Sequence, residues 1–278
     1  MSDQLEKQLE FGIQFIHPEK SLAAFPGATP ENISRLYGLT VEQYEQRVQR
    51  FSERAEQAAE GLLADPDMAA RLEELPFQPG AVLVALGDSI TDDRQSWFEI
   101  LRHMLKLRRP DDHIQLINAG ISGETTSQMI ARTQAVRDVK PDWVFCFAGT
   151  NDARTHLRDV CPTTMASIGE TERNLVALRQ NICAERETHW VWLTPASVLK
   201  ERVHSHFQLG AAQLTWSNTH LKAIGDIVRR QPEPVVDLQE TLGMPPEPQY
   251  LLDDGVHPSL EGQKAIVTAV INTIAAEA

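Results

Sequence analysis

Basic residues are scarce in this chain: 26 Lys and Arg stand against 39 Asp and Glu in 278 residues, a formal net charge of −13. Phosphate backbones are recognised by clustered Lys and Arg, so nucleic acid is not an expected partner. Cysteine is scarcer still. Cys146, Cys161 and Cys183 are odd in number and widely spaced, which gives neither a disulfide framework nor a zinc-ligand pattern. They read as reduced thiols, with Cys146 inside a strand core. Long apolar runs are missing too. The clearest, Val82–Leu86 and Trp143–Ala148, fall far short of the roughly 18 residues of a membrane-spanning helix. The N-terminal stretch MSDQLEKQLE lacks the basic start and apolar h-region of a secretory signal. The expectation is a cytoplasmic chain with no integral membrane segment.

What remains is ordinary globular material: 42% of residues are hydrophobic, enough for a sizeable core. The length suits one large domain or a domain with an appendage. The first part reads as helical. Thr40 followed by Gln43 forms a capping box, and Val41, Tyr44, Val48, Phe51, Ala55, Ala58 and Leu62 recur at spacings of three and four, one apolar seam along a helix. That seam docks either on the chain's own helices or on a second copy in a homodimer; the sequence leaves both open. Pro76, Pro79 and Gly80 then punctuate the chain, which divides it into an N-terminal helical extension, residues 1–78, and a main domain, residues 79–278.

Past the boundary, short runs rich in branched and aromatic residues lie at Val82–Leu86, Ile114–Asn118, Trp143–Ala148, Trp190–Thr194 and Pro234–Leu238. Helix-length amphipathic segments separate them. A last helix is capped by Ser259 and presents Ile266, Val267, Val270, Ile271 and Ile274 on one face. Strands apolar on both faces and alternating with helices predict an α/β fold, a parallel sheet of about five strands covered on both sides.

In open α/β sheets ligands bind beyond the carboxyl ends of the strands. The polar oddities fall there: GDSIT after the first strand, NAGISGETT after the second and GTNDAR after the third, with LLDDGVHPS before the last helix. Singly, each motif also suits a turn or a helix cap. Together, and in this order, the chain resembles the SGNH or GDSL hydrolase family over about residues 80–278. Gly87-Asp88-Ser89-Ile90 looks like its first block, Gly123 its second, Gly149-Thr150-Asn151-Asp152 its third and Asp254-Gly255-Val256-His257 its last. The resemblance implies a flavodoxin-like three-layer α/β/α fold, no cofactor and no metal, and hydrolysis of a small-molecule ester.

In that reading Ser89 is the nucleophile. A serine hydroxyl needs a base within hydrogen-bond reach, and an imidazole titrating near pH ~6.5 suits the task; that base is His257. Asp254 would hold its tautomer, with Asp253 the competing acid. The oxyanion formed by attack would meet the backbone N–H groups of Ser89 and Gly123 and the side-chain amide of Asn151. Asp88 and Asp152 read as supports for nearby loops, and Asp92 and Asp93 as loop acids or helix-start charges. GDSIT lacks the second glycine of a Gly-x-Ser-x-Gly elbow, which disfavours the α/β-hydrolase fold.

Two other classes compete. A metal-dependent phosphoesterase would use Asp88, Asn151, Asp254 and His257 as ligands, and a non-catalytic binding protein would use a degenerate cleft. Specificity is not legible, although the segment Thr194–Gln213, with its histidines and Phe207, is placed to reach the pocket. The preferred substrate is an ester of a small acyl group.

Overall fold

The computed structural model describes residues 3–22 and 24–277. Five parallel strands form the main sheet: β1 (Val82–Gly87), β2 (Gln115–Gly120), β3 (Trp143–Phe147), β6 (His189–Leu193) and β8 (Val235–Val236). Between the third and fourth of these, and again before the last, the short strands β4 (Arg154–His156), β5 (Thr163–Thr164) and β7 (Thr215–Trp216) make a small antiparallel sheet in the order β5-β4-β7. The main sheet runs β2-β1-β3-β6-β8. The chain steps from β1 to β2 on one side and then crosses to β3 on the other, so the topological switch point lies at β1 and β3, where this fold class places its ligands.

Alternation along each strand builds two cores. Leu83, Ala85, Phe145, Phe147, Val191 and Leu193 face one layer, while Val84, Leu86, Val144, Cys146, Trp190 and Trp192 face the other. Both faces of every central strand are therefore buried, as parallel sheets require. Helices Val41–Leu63, Trp97–Arg108 and Leu260–Glu277 cover the first face; Thr126–Ala131, Ile168–Ile182 and Asn218–Arg229 cover the second.

The apolar seam of helix Val41–Leu63 is occupied within the chain. Ala55 and Ala58 enter the same core as Leu83, while Tyr44 and Phe51 join Leu9, Ile13 and Ile33 in a separate cluster. Its capping box is present, Thr40 and Gln43 bonding reciprocally. Among the described residues no helix is long and apolar enough to cross a membrane, and all three cysteines are free, Cys146 buried and Cys161 exposed.

Candidate active site

The register fixes where the site forms. Gly87 lies opposite both Gly120 and Phe147, so β1, β2 and β3 end at one level and their following turns meet. Directly after β1 the chain turns into a short helix, Ser89–Asp92, with Asp88 as its N-cap accepting from the Ile90 N–H at 3.1 Å. This turn nests against β2 so closely that a Cβ on Gly120 would fall 2.6 Å from the Asp92 backbone nitrogen. Only glycine permits that approach. Behind the turn, Gln263 of the last helix donates to the Ile90 carbonyl at 3.3 Å and accepts from the Trp97 N–H at 2.9 Å.

Ser89, half-buried, aims its hydroxyl at the far end of the chain. Its Oγ lies 2.8 Å from His257 Nε2, and His257 Nδ1 lies 2.5 Å from Asp254 Oδ2. An ionised carboxylate only accepts, so Nδ1–H donates to Asp254 and leaves Nε2 to accept the serine proton. The other oxygen of Asp254 accepts from the Val256 and His257 N–H groups at 2.8 and 2.9 Å. Burial alone would raise the Asp254 carboxyl, but His257 and those N–H groups outweigh it and hold it below the usual range. For His257 burial pulls downward, and the charge and hydrogen bond of Asp254, helped by Asp88 and Asp93, lift the imidazole above its ordinary value. Asp253, the competing acid, has no hydrogen bond to the ring.

The second and third turns carry further N–H groups at the same end of the sheet. Gly123 sits at φ +84, a left-handed turn position. Among the described residues the backbone N–H groups of Ser89 and Gly123 donate to nothing. Asn151 gives one amide hydrogen to the Glu124 carbonyl at 3.1 Å, and its Oδ1 accepts from Arg154 Nη1 at 3.1 Å. The amide is thereby locked with its second N–H uncommitted. Asp152 anchors this turn to two helices, accepting from Thr126 N at 2.9 Å on the helix after β2 and from Thr171 Oγ1 at 3.0 Å on helix Ile168–Ile182.

Two acids read from sequence as loop charges behave otherwise. Asp92 and Asp93 are buried. Asp92 Oδ1 receives His17 Nδ1 at 2.7 Å and Lys20 Nζ at 2.5 Å, while Oδ2 receives the Ser122 N–H at 2.9 Å and Ser122 Oγ at 3.0 Å. Burial works against its charge; His17 and Lys20 prevail and keep its carboxyl low. The Ser122 hydroxyl has one hydrogen, which it shares between Asp92 Oδ2 and the Phe15 carbonyl. The residue before Gly123 is thus tied through Asp92 to the N-terminal segment. Asp93 accepts from Gln14 Nε2 at 3.1 Å and the Gln95 N–H at 2.9 Å, and burial pushes its carboxyl up to about 7. Burial likewise raises Asp88 to about 6. The same N-terminal helix, Asp3–Phe15, lays Phe15 against the His257 ring, centroids 4.3 Å apart.

The model of the GDSL-like lipase/acylhydrolase family matches residues 85–265, more than half of the chain. The chain belongs to the GDSL-like lipase/acylhydrolase family. It is a carboxylic ester hydrolase. Solved structures share this GDSL-like fold. An alpha/beta hydrolase enzyme from the metagenome of Lake Arreo, Spain, is 24% identical over 71% of this chain and 96% of its own, with a TM-score of 0.55. A lipase/acylhydrolase from Enterococcus faecalis is 24% identical with the same coverage and a TM-score of 0.53. An acetyl xylan esterase variant from Geobacillus stearothermophilus is 22% identical, again over 71% and 96%, with a TM-score of 0.52. No curated protein matches the sequence. The GDSL-like match begins at residue 85, so Phe15, His17 and Lys20 lie outside it. No motif marks them; a His-Pro pair and a lysine on a short helix read as surface. Arg154, inside the match, was equally silent.

Proposed function

We propose that this enzyme cleaves carboxylic esters of small acyl groups through an acyl-enzyme, with Ser89 as nucleophile, His257 as base and Asp254 as its orienting acid. The observation that carries this reading is the unbroken hydrogen-bonded line from Asp254 through His257 to Ser89. In the first step His257 Nε2 takes the serine proton as Oγ attacks the ester carbonyl. Asp254 stabilises the imidazolium so formed, and the Ser89 and Gly123 N–H groups and the free Asn151 amide hydrogen receive the oxyanion. His257 then returns its proton to the leaving alcohol, and water repeats the cycle on the acyl-enzyme. The catalytic unit in this reading is residues 79–278 together with the segment of the N-terminal extension that touches them.

A short acyl group is favoured by what borders the carbonyl side. A Cβ on Gly123 would approach Arg154 Nη1 at 4.0 Å, and the half-buried guanidinium there is in no direct salt bridge among the described residues, feeling the Asp88 carboxylate only at longer range. A long apolar chain laid against it would strip its water without replacing it. The metal reading finds less support, since both ring nitrogens of His257 are engaged by protein groups. Among the described residues no three His, Cys, Asp or Glu side chains are grouped to hold an ion.

Ser89→Ala tests the proposal. The folded variant should lose several orders of magnitude in short-chain ester turnover and fail to be labelled by an organophosphonate. Near-normal turnover would overturn it.

A further inference from the structure

Proton return to the leaving group fixes which side of the site holds the alcohol. The acyl carbonyl faces Gly123 and Asn151, so the departing oxygen must lie at His257 Nε2, and whatever surrounds that ring borders the alcohol. Those surroundings are aromatic. Phe15 packs on His257 with the rings tilted by 33° and is buried to 2% exposure, which makes it a fixed floor. Phe11, one turn earlier on the same helix, meets His257 edge-on at 5.7 Å and Phe15 at 4.9 Å, and remains half-exposed. From the other side the segment after β6 brings His206 to 5.9 Å from Phe11 and Phe207 to 4.5 Å from His206, both half-exposed.

We infer that Phe11, His206 and Phe207 form a subsite for the alcohol portion of the ester, and that this alcohol carries an aromatic ring within a carbon or so of the scissile oxygen. The inference rests on the acyl-enzyme reading above, since it uses His257 as the proton donor to the leaving group. Three partly open rings on an aromatic floor present π faces and edges at the separations that edge-to-face and offset pairs adopt. Phe11, Phe15 and Phe207 have no side-chain hydrogen-bonding group, and His206 adds one ring nitrogen beyond the one that meets the Leu209 N–H. Of the several hydroxyls of a sugar placed there, most would be buried without partners, whereas an aryl ring loses nothing by that contact. The N-terminal extension thereby becomes a specificity element of the hydrolase, supplying one wall while the segment after β6 supplies the other.

The test holds the acyl group constant and varies the alcohol: benzyl acetate, n-pentyl acetate, which is similar in apolar area and leaving ability, and a monoacetylated methyl glycoside, each with wild type, Phe11→Leu, Phe11→Tyr and Ser89→Ala. Wild type should favour benzyl over pentyl acetate by roughly 3- to 10-fold in kcat/KM, expressed in KM, as expected for one aromatic pair. Phe11→Leu should bring that ratio close to one and Phe11→Tyr should retain it, with discrimination along an acyl-length series of pentyl esters unchanged by either. The ratio removes any general loss of activity from a disturbed helix. A benzyl-to-pentyl ratio that Phe11→Leu leaves intact, or a preference for the glycoside acetate, overturns the subsite while leaving the triad standing. Activity in Ser89→Ala overturns the underlying reading instead, whatever the ratios.

Discussion

Replacing Asp254 by Asn keeps the shape of the triad and inverts its hydrogen bonding. One oxygen of Asp254 accepts two backbone N–H groups, from Val256 and His257, and the other accepts His257 Nδ1–H. An amide has one oxygen. Turned to satisfy the two backbone donors, it points its NH2 at Nδ1, which must then accept, and the imidazole proton moves to Nε2. In that tautomer Nε2 can no longer take the proton of Ser89, 2.8 Å away. The opposite orientation sets the NH2 against two N–H groups in a site only 2% exposed, so the wrong tautomer prevails. Loss of the correct tautomer in a Ser-His-Asp triad costs about 10⁴-fold in kcat, near 5.5 kcal/mol of activation free energy. Steady-state kinetics on a short-chain acetate should show that fall with KM little changed. The pH profile gives a second reading. A base must be neutral to act, and Asp254 holds the His257 imidazole above its ordinary value, so the acid limb of wild-type kcat/KM should lie above pH ~6.5. In Asp254→Asn burial acts with one opponent fewer, and the limb should move down. A folded Asp254→Asn protein within tenfold of wild type, or a limb that does not move, would refute the assignment.

Two further outcomes follow from the buried acids beside the nucleophile. Asp92→Asn cannot satisfy both His17 with Lys20 on one side and the two Ser122 donors on the other. It should cost about 2 to 4 kcal/mol of stability in urea unfolding and, by loosening the turn that carries Gly123, lower kcat at least tenfold with KM nearly fixed; an unaltered kcat would show that the N-terminal segment does not set that turn. Asp93, pushed up to about 7 by burial, holds its proton more tightly folded than unfolded, so its contribution to stability is full below pH ~4 and is lost as pH rises through about 7. The stability of wild type relative to Asp93→Asn should therefore fall by a few kcal/mol between pH 4 and pH 8, and a difference that is constant or grows over that window would count against the burial argument.

The parts of the molecule that could be read in advance are those whose cause is local. Strands buried on both faces must be apolar throughout, so β1, β3 and β6 stood out within a residue or so of their observed limits. Three motifs after strand ends and one before the last helix, taken with the family resemblance, put Ser89, Gly123, Asn151, Asp254 and His257 forward as a set, of which Ser89, His257 and Asp254 lie in one hydrogen-bonded line. Boundaries failed where a polar residue took a second role. The fifth strand, expected to span Pro234–Leu238, pairs only at Val235–Val236, because Asp237 turns to cap the next helix through Gln239 N and Glu240 N. Strands of two or three residues, such as β4, β5 and β7, are too short to show any period.

The contacts of the N-terminal extension with His257 and the GDSITDD turn were illegible for a different reason. Gln14, His17 and Lys20 are polar residues in helical surroundings, and a periodic pattern assigns such residues to solvent. Asp92 and Asp93, in turn, look like acids favoured at a helix start. Each group is intelligible only beside the other: Lys20 and Asp92 are separated by 72 residues, and Gln14 and Asp93 by 79. Within residues 79–278 Asp93 has the Gln95 N–H and Asp92 has Ser122, but the side chains that complete their shells come from Gln14, His17 and Lys20. Under-partnered buried carboxylates are costly, so the docked N-terminal helices stabilise the GDSITDD turn. The turn carrying Ser89 and the extension are therefore coupled through these contacts. The helix that brings Gln14 to Asp93 also sets Phe15 and Phe11 against the His257 imidazole, so in the proposed reading loosening it should disturb oxyanion geometry and alcohol recognition together.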